Sequence, residues 1–228
     1  MNRAVIILSL FVMSLLGACR TGKEKSTSHL FDKENLIAWC IVPFDANERS
    51  PEERADMLDE LGISHLAYDY RDKHIPSFRE EVEVLKKHQI ALSAVWLWVD
   101  PSDPLSAAST EILKIVEETG SLTEFWVGMP DGAFEGLSDQ ESMDKAVETL
   151  KIVLEAVEKL GCSLALYNHG GWYGEPENQL RIIKAMGSEN VKIVYNFHHG
   201  HHQVKQFEEL LEMMLPYLAC ININGMNI

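Results

Sequence analysis

Positive charge is what this 228-residue chain most lacks: 20 Lys and Arg face 35 Asp and Glu, for a formal net charge of −15 at pH 7. A surface of that sign repels phosphate backbones, which argues against nucleic acid as a partner. Long apolar runs are also wanting. The N-terminal one, Ala4 to Leu16, stops short of the ~20 residues a bilayer core needs, so it does not read as a spanning helix. No Gly-rich phosphate fingerprint follows the first strand-like run at 36–44, which weakens a nucleotide-binding reading. Cysteine is sparse, at four residues.

What is present begins with an export signature. Arg3 supplies a positive n-region, Ala4 to Leu16 an apolar h-region, and Leu16-Gly17-Ala18-Cys19 resembles the lipobox of bacterial lipoproteins. Residues 1–18 are therefore expected to be a lipoprotein signal peptide and Cys19 the lipidated residue. An ordinary cleaved signal peptide and an uncleaved anchor are the alternatives. Residues 19–34 are polar and read as a tether, leaving 35–228 as one domain; 46% hydrophobic residues are ample for its core. The expected location is the bacterial cell envelope, on the periplasmic face of the outer membrane and held there by lipid. With Cys19 lipidated, Cys40, Cys162 and Cys220 remain, an odd set in or beside apolar runs, so no structural disulfide is expected.

From Leu36 the chain alternates short apolar runs with helical patterns. The strand-like runs are 36–44, 65–70, 91–98, 124–129, 163–169, 191–197 and 218–224. Ser50-Pro51-Glu52-Glu53 is a capping box with proline at the first helical position, and Gly62 ends that helix. Ser138-Asp139-Gln140-Glu141 repeats the device ahead of Gly161, and Pro176 and Gly187 bracket another helix. Strand starts recur every ~26–39 residues, the length of a βα unit. Such alternation means parallel strands with right-handed crossovers, in a doubly wound sheet or a (β/α) barrel.

Three successive runs end in polar groups: Tyr167-Asn168-His169-Gly170-Gly171-Trp172, then Asn196-Phe197-His198-His199-Gly200-His201-His202, then Asn222-Ile223-Asn224. In a parallel barrel those C-terminal ends share one face, where chemistry sits. Period-2 alternation puts Ala67, Asp69 and Arg71 inside, with Ala94, Trp96 and Trp98, then Trp126, then Ala165, Tyr167 and His169. The 191–197 run opposes Val194, Asn196 and His198 to Ile193, Tyr195 and Phe197, and the last run opposes Cys220, Asn222 and Asn224 to Ile221 and Ile223. Trp39, Trp96 and Trp98 read as core before platform. Trp172, in a loop between Gly171 and Tyr173, is the better candidate for a stacking platform. Asp69, Arg71 and Asp72 form a salt bridge or contact substrate. Glu175 and Glu177 serve as bases or as favourable charges at a helix start, and Asp131 reads as turn chemistry. The histidine cluster has three readings: a solvated helix start, ligands for a softer metal through His198, His199 and His201, or substrate binding and acid/base work.

With those residues in view, the chain from Leu36 onward resembles the xylose isomerase-like TIM-barrel superfamily of sugar isomerases, ketose 3-epimerases, inosose dehydratases and endonuclease IV-type enzymes. Asn168-His169-Gly170 is similar to its Glu-Asn-His-Gly strand ending, Asn196-Phe197-His198-His199 to its Asp-x-x-His, and Asn222-x-Asn224 to its His-x-His. The resemblance implies a TIM barrel, here incomplete at about seven strands, in a truncated chain or one whose gap a partner covers. It also implies a divalent metal held by Glu, Asp, His and Glu at four consecutive strand ends. The matching positions are Tyr167, Asn196 and Asn222 (or Asn224), which lack the anionic oxygen a hard cation wants, so no tightly bound Mn or Mg is expected.

The functional expectation is an exported enzyme that moves a proton next to a carbonyl (isomerase, epimerase or keto-glycoside lyase) on an unphosphorylated carbohydrate. His169 and His199 would carry the proton, with Asp69, Arg71, Trp98, Asn168, Trp172, Asn196, Asn222 and Asn224 binding substrate. The alternative is a non-catalytic carbohydrate-binding lipoprotein on the same fold. Endonuclease activity is disfavoured by charge.

Overall fold

The structure, a computed structural model, describes residues 29–223. Cys19, the expected signal segment and Asn224 lie outside the described residues. Six parallel strands form one curled sheet in chain order: β1 (His65–Tyr68), β2 (Ala91–Trp98), β3 (Glu124–Gly128), β4 (Ser163–Tyr167), β5 (Val191–Asn196) and β6 (Leu218–Asn222). Between them run α1 (Pro51–Leu61), ahead of β1, then α2 (Phe78–Lys87), α3 (Ala107–Thr119), α4 (Asp139–Glu158), α5 (Pro176–Met186) and α6 (Phe207–Met214). The fold is an α/β half-barrel of the TIM-barrel type, whose helices cover the convex face. No helix among the described residues is long and apolar enough to cross a membrane.

The helix limits follow from local chemistry. Ser50 and Ser138 each accept from the backbone N–H three residues on, while Glu53 and Glu141 reach back to the cap. Gly62 and Gly187 stop α1 and α5 in left-handed backbone, which a side chain would strain. Apolar helix faces then meet the outer strand faces, where Leu66, Val95, Phe125, Leu164 and Ile193 are wholly buried, each worth about 1.5–3 kcal/mol by area. Arg54 of α1 and Glu81 of α2 make a buried two-point ion pair at 3.0 and 2.8 Å, locking that helix pair together.

The expected strand at 36–44 is corrected. Only Ala38 pairs, through one parallel bridge to Leu66, because Cys40 takes a left-handed turn (φ 62°) and ends the extended run. The described end of the expected tether is docked: Lys33 Nζ donates to the Leu61 carbonyl at 2.7 Å.

Inside the curl sits a smaller cluster of Ala67, Ala94, Trp126, Ala165, Tyr167 and Val194, with Trp39, Trp96 and Cys220 packed on it. These are the positions that alternation assigns inward. Small residues in β1, β2 and β4 leave room for the large rings from β3 and β4, so the interior is filled below and open above.

Candidate functional site at the C-terminal mouth of the half-barrel

Above that packed layer the strand ends enclose a cavity of about 670 Å³. Its β1 wall carries Asp69, Arg71 and Asp72, with Cys40 and Phe44 beside them; its β4–β5 wall carries Tyr167, His169, Asn196, His198 and His199. Trp39, Trp96 and Trp98 line the floor and the side between, so tryptophans assigned to the core also form the lining. Trp98 is 39% exposed and meets the His169 ring edge-on at 5.0 Å.

The structure brings His169 and His199 together, with ring centroids 4.6 Å apart. Burial lowers the His199 pKa to about 4, and the neighbouring His169 and His198 push the same way. His199 is therefore a neutral imidazole at neutral pH, with a lone pair free to take a proton. His169 Nδ1 lies 3.3 Å from Asp131 Oδ1. Asp131 thus does more than shape a turn: it orients an imidazole, as the third group of a proton-transfer set does. Gly170 and Gly171 permit the approach. Both have left-handed backbone, and a Cβ on them would lie 3.0 Å from Asp131 Oδ1 and 2.9 Å from its carbonyl oxygen, respectively.

The loop that carries the histidines is pinned from behind. Tyr195 donates to Gln203 Oε1 at 3.1 Å, Gln203 donates to Glu175 Oε2 at 2.6 Å, and His202 lies 3.2 Å from the other Glu175 oxygen. Glu175 is thereby engaged in bracing. His198 and His201 rings stand 5.7 Å apart, but the nitrogens of His198, His199 and His201 do not gather around one point. Among the described residues the one ligand-spaced group is Glu52, Asp56 and His88 on α1 and its neighbour, where Glu52 is already paired with Lys87 and His88.

Burial raises Asp69 to about 6, against the opposing pull of its own backbone N–H, Arg71 and Cys40. Its Oδ1 is buried and has no hydrogen-bond partner. Burial also pushes the Cys40 thiol up to about 12, with Asp69 adding to the shift, so that sulfur is no nucleophile at neutral pH.

Two expected contacts are corrected. Asn168 is clamped to the neighbouring strand: Oδ1 accepts from Asn196 N at 2.6 Å and Nδ2 donates to Asn196 O at 3.1 Å. Its amide is spent on holding β4 to β5. Trp172 turns away from the cavity, packs on Phe134 and donates to Asp139 Oδ1 at 3.0 Å. Asn222 is buried beneath the mouth, next to Tyr167.

The metal position that the resemblance implies is occupied by neutral groups bonded to one another. Asn196 Nδ2 donates to the Tyr167 oxygen, and Asn196 Oδ1 is taken by the His198 backbone N–H at 2.8 Å. Asn222 Oδ1 faces the Cys220 thiol at 3.6 Å. Donor N–H groups directed inward repel a cation, and no carboxylate stands among them. These residues do not fit a hard divalent ion.

No family model matches the sequence, and no curated protein matches it by sequence. Solved structures do match by fold. The chain is similar to 3-keto-D-glucoside 4-epimerase from E. coli (TM-score 0.61, 14% identity, 83% of this chain and 77% of that one). It is likewise similar to a probable 3-DHS dehydratase of petrobactin synthesis from Bacillus anthracis (TM-score 0.61, 13%, covering 82% and 70%). A family 2 AP endonuclease from Brucella melitensis matches at TM-score 0.58 and 14% identity, covering 77% and 74%. At these identities the likeness is one of fold.

Proposed function

We propose that this chain is a sugar-active enzyme that moves a proton on the carbon next to a carbonyl, by isomerisation, epimerisation or β-elimination. The observation that carries this reading is the neutral His199 imidazole beside His169, inside a cavity walled by tryptophan. A base for such chemistry must be unprotonated at working pH and within reach of a bound C–H. Aromatic faces suit the apolar side of a sugar ring, and the cavity volume falls within the range of small-molecule sites, roughly 300–1,000 Å³. Support also comes from what the similar folds are named for, a keto-glucoside epimerase and a dehydratase among them. Asp69 and Asp72 outnumber the single Arg71 on the β1 wall, which favours an unphosphorylated carbohydrate. The same charge argument, with the net −15, disfavours the endonuclease reading.

The test is hydrogen exchange. Incubated in D₂O with ketoses, aldoses and keto-glucosides, the protein should place deuterium on a carbon next to the carbonyl of one of them. Binding without exchange, for every sugar that binds, would leave a non-catalytic carbohydrate-binding protein. That second reading draws its support from the neutral groups at the implied metal position.

We further propose a bacterial cell-envelope location with lipid on Cys19, on the strength of Leu16-Gly17-Ala18-Cys19. Wild-type protein should partition with membranes, and Cys19→Ser should be released. Equal partitioning of the two would refute the anchor.

A further inference from the structure

The inference below rests on the proton-transfer reading and concerns what stabilises the negative charge that such a reaction creates. Removing a proton beside a carbonyl puts charge on the carbonyl oxygen, and a site must supply either a cation or hydrogen-bond donors for it. The groups at the implied metal position reject a cation. They instead converge on one oxygen.

Asn196 Nδ2 donates to the Tyr167 hydroxyl oxygen. The direction of that amide is fixed, because its Oδ1 already accepts the His198 backbone N–H at 2.8 Å. Asn222 and Trp39 stand close enough to the same hydroxyl to act on its acidity. Asn222 Nδ2 and Trp39 Nε1 are buried and have no other hydrogen-bond partner. The Tyr167 oxygen is therefore surrounded by N–H donors, while its own proton has no acceptor among the described residues. Tyr167 lines the cavity and meets the His199 ring edge-on at 5.7 Å. Its hydroxyl thus stands in the lining beside the base.

We propose that the Tyr167 hydroxyl takes the part of a Lewis acid, donating a hydrogen bond to the carbonyl oxygen of a bound keto sugar and to the enolate made from it, so that the reaction needs no metal ion. The electrons balance without an external oxidant or reductant. His199 takes the proton from the carbon beside the carbonyl, and the C–H pair becomes the C=C π bond. The C=O π pair moves onto oxygen, where the Tyr167 O–H holds it. The return of a proton from His199 or His169 to carbon reverses the flow. Burial raises Tyr167 to about 12 against the opposing pull of Asn196, Asn222 and Trp39, so the hydroxyl keeps its proton through neutral pH and serves as a donor.

Two measurements test this, with a methyl 3-keto-D-glucoside carrying ¹³C at its carbonyl as the probe. In the first, deuterium exchange is followed in wild type, in wild type stripped with EDTA, and in Tyr167→Phe. Stripping should leave the rate unchanged, and Tyr167→Phe should lower it by ~10²–10³-fold with KM little altered, the loss typical of one removed oxyanion donor. In the second, the infrared carbonyl band of the bound probe should lie at lower frequency in wild type than in Tyr167→Phe. Exchange at the wild-type rate in Tyr167→Phe, or loss on stripping that Mn, Mg or Zn restores, overturns the proposal. So does a band that the substitution does not move. If wild type binds the probe but exchanges nothing, the enzyme reading fails, and the band still decides whether Tyr167 donates to the carbonyl. Should Tyr167→Phe not fold, the stripped wild type decides the metal question by itself, since its loss of exchange overturns the proposal. A wild type that binds no keto sugar overturns both.

Discussion

Asp69 on the β1 wall and His199 on the β5 wall are both drawn out of water, and burial moves them in opposite directions. The carboxyl rises from an ordinary 3.8 to about 6, and the imidazole falls from 6.5 to about 4. One physical cause acts in both cases: a low-dielectric mouth disfavours charge of either sign. The outcomes differ at neutral pH. Asp69 is then largely ionised, with one oxygen unpartnered, and on the proposed reading it accepts from sugar hydroxyl groups. His199 is neutral, and on the same reading it is the base. If the proposed reaction holds, binding falls to one wall and proton transfer to the other, and damage to the two walls should look unlike in kinetics.

The largest effect belongs to the β5 wall. His199→Gln should lower the turnover of any exchanging sugar by ~10²–10⁴-fold while leaving its KM nearly alone. Asp69→Asn removes a charged acceptor and should instead weaken binding by roughly 10–100-fold, the worth of a hydrogen bond to a charged group, with kcat changed far less. Steady-state kinetics on the two variants separate these patterns. A collapse of kcat in Asp69→Asn with KM preserved would move the base to the β1 wall.

Much of this arrangement is legible in sequence because it rests on short-range rules. Ser50-Pro51 and Ser138 with Glu141 announce helix starts through bonds spanning three residues, and Gly62 and Gly187 announce ends. Strand alternation places Ala67, Trp96, Trp126 and Tyr167 inward because the period is 2 wherever the strand is regular. The reading fails where a residue departs from its type's habit or where partners are distant in the chain. Cys40 adopts a backbone conformation that usually marks glycine, so the 36–44 run looked like a strand. Asn168 looked like a ligand for substrate, but its amide serves β5 across 28 residues of sequence. Asp131 and His169 are 38 residues apart, and the signal for their meeting was the Gly170-Gly171 pair, which only a close backbone approach requires. Unpartnered donors such as Trp39 Nε1 have no sequence signature, since they exist only once neighbours are in place.

The smallest expected effect is on stability, and it tests the opposed shifts directly. Asp69 has a raised folded-state pKa, so between pH 3.8 and about 6 the native state binds more protons at this site than the unfolded chain does. Stability from this residue is therefore present below that window and lost as pH rises through it. His199 has a lowered folded-state pKa, so between about 4 and 6.5 the unfolded chain binds more protons, and stability rises with pH. The two slopes overlap between about pH 4 and 6 and oppose each other in the wild type. Asp69→Asn removes the falling contribution, and its stability should climb with pH more steeply than wild type over that range. His199→Gln removes the rising one, and its curve should fall relative to wild type. Titrating groups remote from both residues contribute equally to all three proteins, so differences between urea-unfolding curves recorded from pH 4 to 7 report the pair together with its immediate neighbours. Three parallel curves would mean that neither wall perturbs its titrating group. The assignment of acceptor and base would then need another cause than burial.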